Sequence, residues 1–519
     1  THRAGPGDLT GGAARGARGM FESFNGLVGG FAVALAPDNL LIAVVGVFLG
    51  MLIGILPGLG AANGVALLIP LTFSLKPSSA IILLAAIYYA SMYSGGITSI
   101  LFNIPGEPFS VATTFDGHPM AVQGRGGEAL IATFSGSLFA GVVGVLLLTF
   151  LLPPLADFAL RFGPPEYFAV MCLAFACLAA LGRASVLKTI AAALIGFILA
   201  TVGLDTVSGK PRLTYDTIEL LRGFGFLVAV IGLFGVGEIF RSAEESLVMK
   251  YIPARVRWRD IPATMGGLAK HWVVYIRSTL LGFFLGMIPG AGATTASVMS
   301  YSVAKRFSKH PEKFGTGVVE GVISCETADN AAGTGALLPM ITLGIPTSAT
   351  VAVMLGGLLI WGLQPGPMLV QEHPDFVWGL IASMYTGNLI AVIIAILGVP
   401  VFAAIMRIPY TLLMPVIMCL CVIGAYAANN ALLDVVFMFL FGVLGYAFQK
   451  LDYPLAPLIF ALILGDMTES ALRQSLIMSH GSLAIFFTRP IAATFMLIAA
   501  LFFAMPVLQP LIQRWQAAG

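Results

Sequence analysis

Two short motifs interrupt apolar stretches of the chain and are the first candidates for chemistry. The pattern Pro-Gly-x-Gly-Ala occurs at residues 57–61 and again at residues 289–293. A break in a helix exposes backbone N–H groups and the partial positive charge of a new helix N-terminus, and together these bind anions. Glycine also lets the backbone approach a ligand closely, because it carries no Cβ atom. The pair of motifs therefore predicts an anion-binding site built from broken helices.

A second pair of breaks lies downstream and extends the predicted site. The sequence Asn-Ile-Pro-Gly at residues 103–106 corresponds to Gly-Ile-Pro-Thr at residues 344–347. Paired interruptions in the two halves of a membrane protein indicate a transport site. The predicted substrate-binding residues are Gly58, Gly60, Asn63, Asn103, Gly290, Gly292, Thr294, Thr295, Thr347 and Ser348. Close packing of membrane helices uses the same small residues and is the alternative for each of them.

Three polar residues, Glu326, Asp329 and Asn330, stand in a stretch that is otherwise small and apolar. Acidic residues in apolar membrane sequence are costly and indicate function. We expect these three to hold a coupling cation or to exchange a proton. The alternative is that they lie at the end of a loop, before the span begins. Glu107 and Asp116 are predicted in a loop, because Asp-Gly at 116–117 is a turn signal.

The remaining polar groups predict structure rather than catalysis. Asp466, Glu469 and Arg473 indicate the start of a helix, and the last two have the spacing of an intrahelical ion pair. The histidines are isolated, so no metal site is expected. Neither His-Glu-x-x-His nor Gly-x-Ser-x-Gly occurs, which disfavours an enzyme.

The elements that position these residues must be membrane-spanning helices. Hydrophobic residues make up 58% of the chain, charged residues 10%, and the mean hydropathy is +0.94. A soluble domain carries about 25% charged residues, so this chain cannot cover its surface with charge. The predicted fold class is an all-α polytopic membrane protein with about 10–12 transmembrane helices and some re-entrant or discontinuous pieces. No basic run interleaved with aromatic residues occurs, so nucleic-acid binding is not expected.

The chain divides into two predicted halves, residues 20–240 and 278–519, joined by a basic segment at 241–277. By the positive-inside rule this segment is cytoplasmic. The halves are predicted to be related repeats; inversion is favoured because broken helices accompany inverted repeats, while a parallel arrangement remains open. Residues 1–19, rich in Gly, Ala and Arg, are expected to be a disordered tail or a fusion remnant.

Residues 278–304 are predicted to form a re-entrant hairpin. A second basic cluster, at residues 305–313, is also expected on the cytoplasmic side. The stretch between the two basic clusters is too short for two crossings of about 20 residues each, and it carries the second break near its middle. The alternative is one long tilted span with one basic cluster on the other side of the membrane.

Motifs along the chain resemble the large membrane subunit of tripartite tricarboxylate transporters, from about Met20 to the C-terminus. The sequence departs from the common pattern at Ser94, where a second Gly is usual, and at Asp466, where Pro is usual. The stretches that carry the resemblance are Ile55–Gly60, Ile69–Phe73, Tyr93–Ile100, Asn103–Glu107, Asp116–Ala121, Phe162–Phe168, Ile288–Gly292, Leu343–Pro346, Leu464–Arg473 and Thr488–Pro490.

The resemblance implies a secondary active transporter of the bacterial inner membrane that imports carboxylates. Such transporters work with a small membrane subunit and with a periplasmic binding protein that delivers the substrate. A cation gradient drives them, so Na⁺ or H⁺ is expected to be co-transported and no other cofactor is expected. The alternatives are a passive channel or a different binding-protein-dependent carrier.

Overall fold

The computed structural model describes residues 23–56, 59–181, 185–205, 208–244, 252, 256, 259, 261–406 and 410–518. The tail expected at 1–19 lies outside these residues, and so do Pro57 and Gly58 of the first break. The described chain consists of helices and one two-stranded antiparallel hairpin, in which Gly203 pairs with Arg212 and Leu204 with Pro211. The predicted all-α fold class is therefore confirmed.

Proline begins several helices of the first half, at a position whose missing N–H group needs no partner. A π-helical segment, Ile231–Val236, joins α9 to α10 into one span. Three 3₁₀ turns (Ile69–Ser74, Pro108–Ser110 and Ile218–Arg222) and strands β1 (Gly203–Leu204) and β2 (Pro211–Arg212) complete this half. Its helices are α1 Ser23–Ala34, α2 Pro37–Ile55, α3 Gly60–Leu68, α4 Pro77–Phe102, α5 Val111–Val122, α6 Gly126–Ala159, α7 Pro164–Leu181, α8 Val186–Ala200, α9 Phe226–Val230 and α10 Gly237–Glu244.

The second half has a similar series of long and short helices. Two 3₁₀ turns, Ala269–His271 and Pro311–Lys313, precede α12 and α14. The helices of the second half are α11 Ile261–Leu268, α12 Trp272–Gly286, α13 Gly292–Phe307, α14 Val319–Leu343, α15 Ala349–Ile360, α16 Pro367–Glu372, α17 Pro374–Ile405, α18 Tyr410–Asn429, α19 Leu432–Lys450, α20 Leu455–Met478, α21 Ile485–Thr488 and α22 Pro490–Ala518.

Many of these helices have the length and composition of membrane spans. Within the described ranges, nine are long and apolar enough to cross a bilayer, and five shorter helices are also apolar. Helix α14 has 25 residues, which is long enough to span, but its polar residues keep it outside that set. The chain is a multi-pass membrane protein.

Helices α12 and α13 form a helical hairpin over the predicted stretch, and its re-entrant position in the membrane stays a prediction. They have 15 and 16 residues, or about 22–24 Å each, which is shorter than a bilayer core of about 30 Å. The chain turns between them, and Ser300 of α13 donates a hydrogen bond of 2.8 Å to Ser278 of α12. These serines lie far from the turn along each arm, so the arms pack side by side. The alternative of one long tilted span is therefore wrong.

Helices α4 and α14 form the centre of the molecule. All residues from Ser79 to Phe102 of α4 and from Gly321 to Thr342 of α14 are buried. Each helix ends at a residue in the left-handed conformation, Asn103 with φ 58° and Gly344 with φ 71°. An Ile-Pro pair follows each of these residues and prevents the helix from continuing.

Helices of each half pack against helices of the other half. Helix α4 of the first half contacts α17 of the second, and α14 of the second half contacts α6 of the first. Helix α8 packs on α20, and α19 packs on the π-helical segment that precedes α10. The helix order and these pairings are what two related halves would produce. The prediction of repeats, inverted or parallel, stays a prediction.

The structure corrects the predicted surroundings of two groups of acidic residues. Asp116 lies within α5 rather than in a loop, and its side chain is fully buried. The predicted helix start at Asp466 is also wrong, because α20 begins at Leu455 and runs through it. The ion pair between Glu469 and Arg473 is confirmed at 2.6 Å. Arg212 of strand β2 also bonds to Glu469, and this contact raises the pKa of the Arg212 guanidinium.

Candidate functional site

A cavity of about 740 Å³ lies where the first break, at residues 57–61, meets the second break, at residues 289–293. Gly60 and Asn63 line it from the first break, and Gly290 and Gly292 line it from the second. The downstream breaks contribute further residues, among them Thr347. Two motifs that are more than 200 residues apart along the chain therefore line one cavity.

At the first break, helix α3 begins with Gly60 in the left-handed conformation, at φ +66°. The carboxylate of Glu107 lies against this helix end. It accepts a hydrogen bond from the backbone N–H of Ala61, and its Oε2 atom would be 3.5 Å from a Cβ atom placed on Gly60. Glu107 is 5% exposed and lines the cavity. The chain itself therefore supplies a carboxylate to the α3 N-terminus.

At the second break, Gly290 and Gly292 take the same left-handed conformation, at φ +83° and φ +59°. The N–H group of Gly290 donates to the carbonyl oxygen of Thr347 at 3.3 Å, which joins the two breaks of this half. A Cβ atom on Gly290 would lie 2.8 Å from the Cα atom of Leu178, so α7 packs directly on its backbone. At Gly292 a Cβ atom would meet nothing within 4 Å. The α13 N-terminus therefore opens into the cavity.

Most of the predicted substrate-binding residues line this cavity. Tyr88 joins them from α4, and its hydroxyl group shares a hydrogen bond with the side chain of Ser348. Asn103 is not in the lining: as the left-handed residue that ends α4, it is exposed. Gly58 lies outside the described residues. The predicted residues that the cavity brings together are Gly60, Asn63, Gly290, Gly292, Thr294, Thr295, Thr347 and Ser348.

Three charged residues of the lining, Glu107, Glu238 and Arg241, were not predicted as site residues. Glu107 was expected in a loop, and Arg241 was assigned to the start of the basic connecting segment. Arg241 lies in α10 and is the basic side chain of the described lining. A sequence signal existed for Glu107, because it follows the Ile-Pro-Gly break directly and corresponds to Ser348 in the second half.

The predicted cation-coupling residues form a separate buried cluster. Glu326, Asp329 and Asn330 lie within α14, so the alternative position at a loop end is wrong. Oε1 of Glu326 accepts a hydrogen bond of 2.5 Å from the hydroxyl group of Thr113 on α5. Oδ1 of Asp329 accepts from the N–H and Nδ2 groups of Asn330, at 2.6 and 2.9 Å. Asn330 also donates to Ser137 of α6, so three helices meet at the cluster.

Several oxygens of this cluster have no hydrogen-bond partner in the part of the chain that the structure describes. They are Oε2 of Glu326, Oδ2 of Asp329, and the hydroxyl groups of Thr133 and Thr327. The two carboxylates interact electrostatically, and both side chains are fully buried. Buried carboxylates side by side are strongly unfavourable unless a cation or a proton neutralises them.

The oxygen atoms of this cluster are suitable ligands for a hard cation rather than for a transition metal. Across the described residues, no group of three or more His, Cys, Asp or Glu side chains could hold a metal ion. Carboxylate and hydroxyl oxygens are the atoms that hard cations prefer.

Comparison with known proteins finds a matching family model and relatives. A family model described as the tripartite tricarboxylate transporter TctA family matches residues 40–460. A protein of Agrobacterium vitis, described as an uncharacterised 52.8 kDa protein in the TAR-I ttuC' 3' region, is 40% identical over 475 residues. That match covers 92% of this chain and 94% of the relative. A second A. vitis protein, from the TAR-II ttuC' 3' region, is 40% identical over 213 residues, or 41% of this chain and 88% of the relative. No solved structure matches the chain.

Proposed function

The chain belongs to the TctA family of tripartite tricarboxylate transporters, and on that premise we propose that it imports carboxylates by cation-coupled alternating access around the cavity. In this proposal the chain sits in the bacterial inner membrane with a small membrane subunit. A periplasmic binding protein delivers the substrate, and a Na⁺ or H⁺ gradient drives uptake. The cavity shared by the two broken-helix motifs is the observation that carries the proposal.

The α13 N-terminus is the proposed binding site of a substrate carboxylate. A helix of 16 residues directs its first N–H groups and its partial positive charge at the cavity. The hydroxyl group of Thr347 lines the same cavity, is 1% exposed and has no hydrogen-bond partner among the described residues. A buried hydroxyl group without a partner is costly, and an anion in the cavity would satisfy it. Thr294 and Thr295 add hydroxyl groups at the same helix end.

The buried cluster around Glu326 and Asp329 is the proposed seat of the coupling cation. Its two carboxylates have the neutral partners Thr113 and Asn330, so the charge must be balanced by a bound cation or proton. The unpartnered oxygens of the cluster would then serve as cation ligands. Helix α14 links this seat to the cavity, because Ala332 and Ala336 line the cavity within two turns of Asp329. A shift of α14 on cation binding would therefore reach the substrate.

Reconstituted uptake tests this function. Both membrane subunits are placed in proteoliposomes, the binding protein is added outside, and uptake of radiolabelled citrate and succinate is followed under imposed Na⁺ or pH gradients. We expect uptake to require the binding protein and one of the two gradients. Uptake that is indifferent to the binding protein and to every cation gradient would exclude this mechanism. Single-channel currents would instead identify a passive channel.

A further inference from the structure

The two helix ends that face the cavity differ in one respect. Space is open at Gly292, where α13 begins, whereas the carboxylate of Glu107 already occupies the α3 end next to Gly60. The residue at the corresponding place in the second half is Ser348, which instead caps α15 by accepting the N–H group of Val351. The cavity therefore has one unoccupied anion-binding position, at the start of α13, and one that Glu107 of the chain itself occupies, at the start of α3.

Protein groups satisfy only part of the hydrogen-bonding capacity of the Glu107 carboxylate. Its partners are the backbone N–H groups of Ala61 and Ser110. The other oxygen, Oε1, is buried and has no hydrogen-bond partner among the described residues. Because Glu107 lines the cavity, a bound molecule is the available partner for this acceptor.

We propose that Oε1 of Glu107 accepts a hydrogen bond from a hydroxyl group of the substrate, so that the cavity selects hydroxycarboxylates. This rests on the proposed function, in which a substrate carboxylate occupies the α13 end. A second substrate carboxylate placed against Glu107 would be repelled by the like charge, whereas a hydroxyl group there would satisfy the free oxygen.

A coupling cation is the competing occupant of this position, and the surroundings disfavour it. A cation needs several converging oxygens, whereas Glu107 offers one free oxygen and already accepts the N–H groups of Ala61 and Ser110. The partial positive charge of the α3 end also repels a cation. A hydrogen-bond donor meets neither obstacle.

Matched ligand pairs test the selection without the binding protein. The purified complex of the two membrane subunits is titrated at saturating Na⁺ with succinate and malate, and with tricarballylate and citrate, and dissociation constants are taken from ligand-dependent unfolding temperatures. The members of each pair have the same carboxylates and differ by one hydroxyl group. We expect the hydroxylated member to bind at least about tenfold more tightly, as a hydrogen bond to a charged group implies.

Glu107→Gln should reduce that ratio at least about threefold, because a neutral acceptor makes a weaker bond. Asp434→Asn changes a buried carboxylate of α19 and is the control that should keep the ratio. Equal binding of both members to the unaltered complex would overturn the selection and leave the proposed transport intact. An unchanged ratio in Glu107→Gln, with a higher Na⁺ requirement for every ligand, would identify Glu107 as a cation ligand instead. Absence of binding by all four ligands would count against the proposed function itself.

Discussion

The hydroxyl group of Tyr301 donates a hydrogen bond of 2.9 Å to the buried carboxylate of Asp116, and so connects α13 of the second half to α5 of the first. The other oxygen of Asp116 accepts three backbone N–H groups, those of Gly315, Gly317 and Val318, at 2.8–2.9 Å. One side chain therefore fixes the loop that connects α13 to α14.

Asp116→Ala is expected to destabilise the protein strongly. The buried N–H group of Gly317 and the part-buried N–H groups of Gly315 and Val318 lose their acceptor. A buried group left without a partner costs about 1–3 kcal/mol and a part-buried one less, so the free energy of unfolding should fall by at least about 2 kcal/mol. Asp116→Asn keeps one acceptor oxygen and should cost less. Tyr301→Phe removes one hydrogen bond and should cost about 0.5–1.5 kcal/mol. Thermal unfolding in detergent measures the order of the three variants, and equal stability of Asp116→Ala and Tyr301→Phe would contradict it.

Thr294→Val together with Thr295→Val is expected to weaken carboxylate uptake. Valine has nearly the shape of threonine, so the α13 end keeps its backbone while it loses two hydroxyl groups. Each hydrogen bond to a charged substrate contributes about 1.5–3 kcal/mol, so the apparent affinity should fall at least about tenfold. Initial uptake rates over a range of substrate concentrations measure this. Thr494→Val, at an exposed position on α22, is the control; an equal loss in the control would show a general effect.

Glu326→Gln and Asp329→Asn are expected to alter the cation requirement more than substrate recognition. Each removes a charge from the buried cluster, so half-saturation by the coupling cation should need at least about tenfold more of it. The carboxylate affinity at saturating cation should change much less. Cation titrations of uptake give both values, with Asp434→Asn as the control. A cation profile that stays the same in both variants would remove these residues from the coupling site.

Gly290→Ala is expected to destabilise the fold and thereby reduce uptake. The new Cβ atom would lie 2.8 Å from the Cα atom of Leu178, at a backbone φ of +83°. An alanine in the left-handed backbone conformation lowers the free energy of unfolding by about 1–2 kcal/mol. Overpacking against Leu178 lowers it by about 1–3 kcal/mol more. Gly267→Ala in α11 is the matched control, because nothing lies within 4 Å of its Cβ position. Unfolding temperatures should fall for the first variant and hold or rise for the second.

Arg489→Ala is expected to loosen the contact between α7 and α22. Nε of Arg489 lies 2.7 Å from Oε1 of Glu166, whose side chain is 2% exposed. Because Arg489 is itself 38% exposed, the loss of free energy of unfolding should be about 1–3 kcal/mol rather than that of a fully buried pair. Arg125→Ala, which breaks an exposed pair with Glu128, should lower the unfolding temperature less. An equal change in both variants would show that burial of Glu166 is unimportant.

Local sequence patterns predicted the helices, the helical hairpin and eight residues of the cavity lining. The motifs at 57–61 and 289–293 are recognisable because proline and glycine interrupt an apolar helix whatever surrounds them. The ion pair between Glu469 and Arg473 is local as well, since the two lie one helical turn apart. These features depend on neighbours within a few residues.

The acidic residues were harder to place because their surroundings are built from distant parts of the chain. Asp116 reads locally as a turn signal, yet the N–H groups that stabilise its buried charge lie 199 to 202 residues later. The same applies to Glu107, whose burial depends on the end of α3, far earlier in the chain. Short-range patterns cannot contain such contacts, so they misplaced Asp116 and did not show that Glu107, which lies in a loop as predicted, is buried.

The exchanged packing of α4 on α17 and of α6 on α14 has a consequence for biogenesis. When the ribosome has made only the first half, α4 can already pack on α2, but its neighbour α17 is not yet synthesised. The nascent protein must wait in the membrane with polar groups such as Tyr93 unsatisfied until Asn388 of α17 arrives to accept its hydrogen bond. Truncated chains that end before α17 should therefore be substrates for membrane quality-control proteases rather than stable folding intermediates.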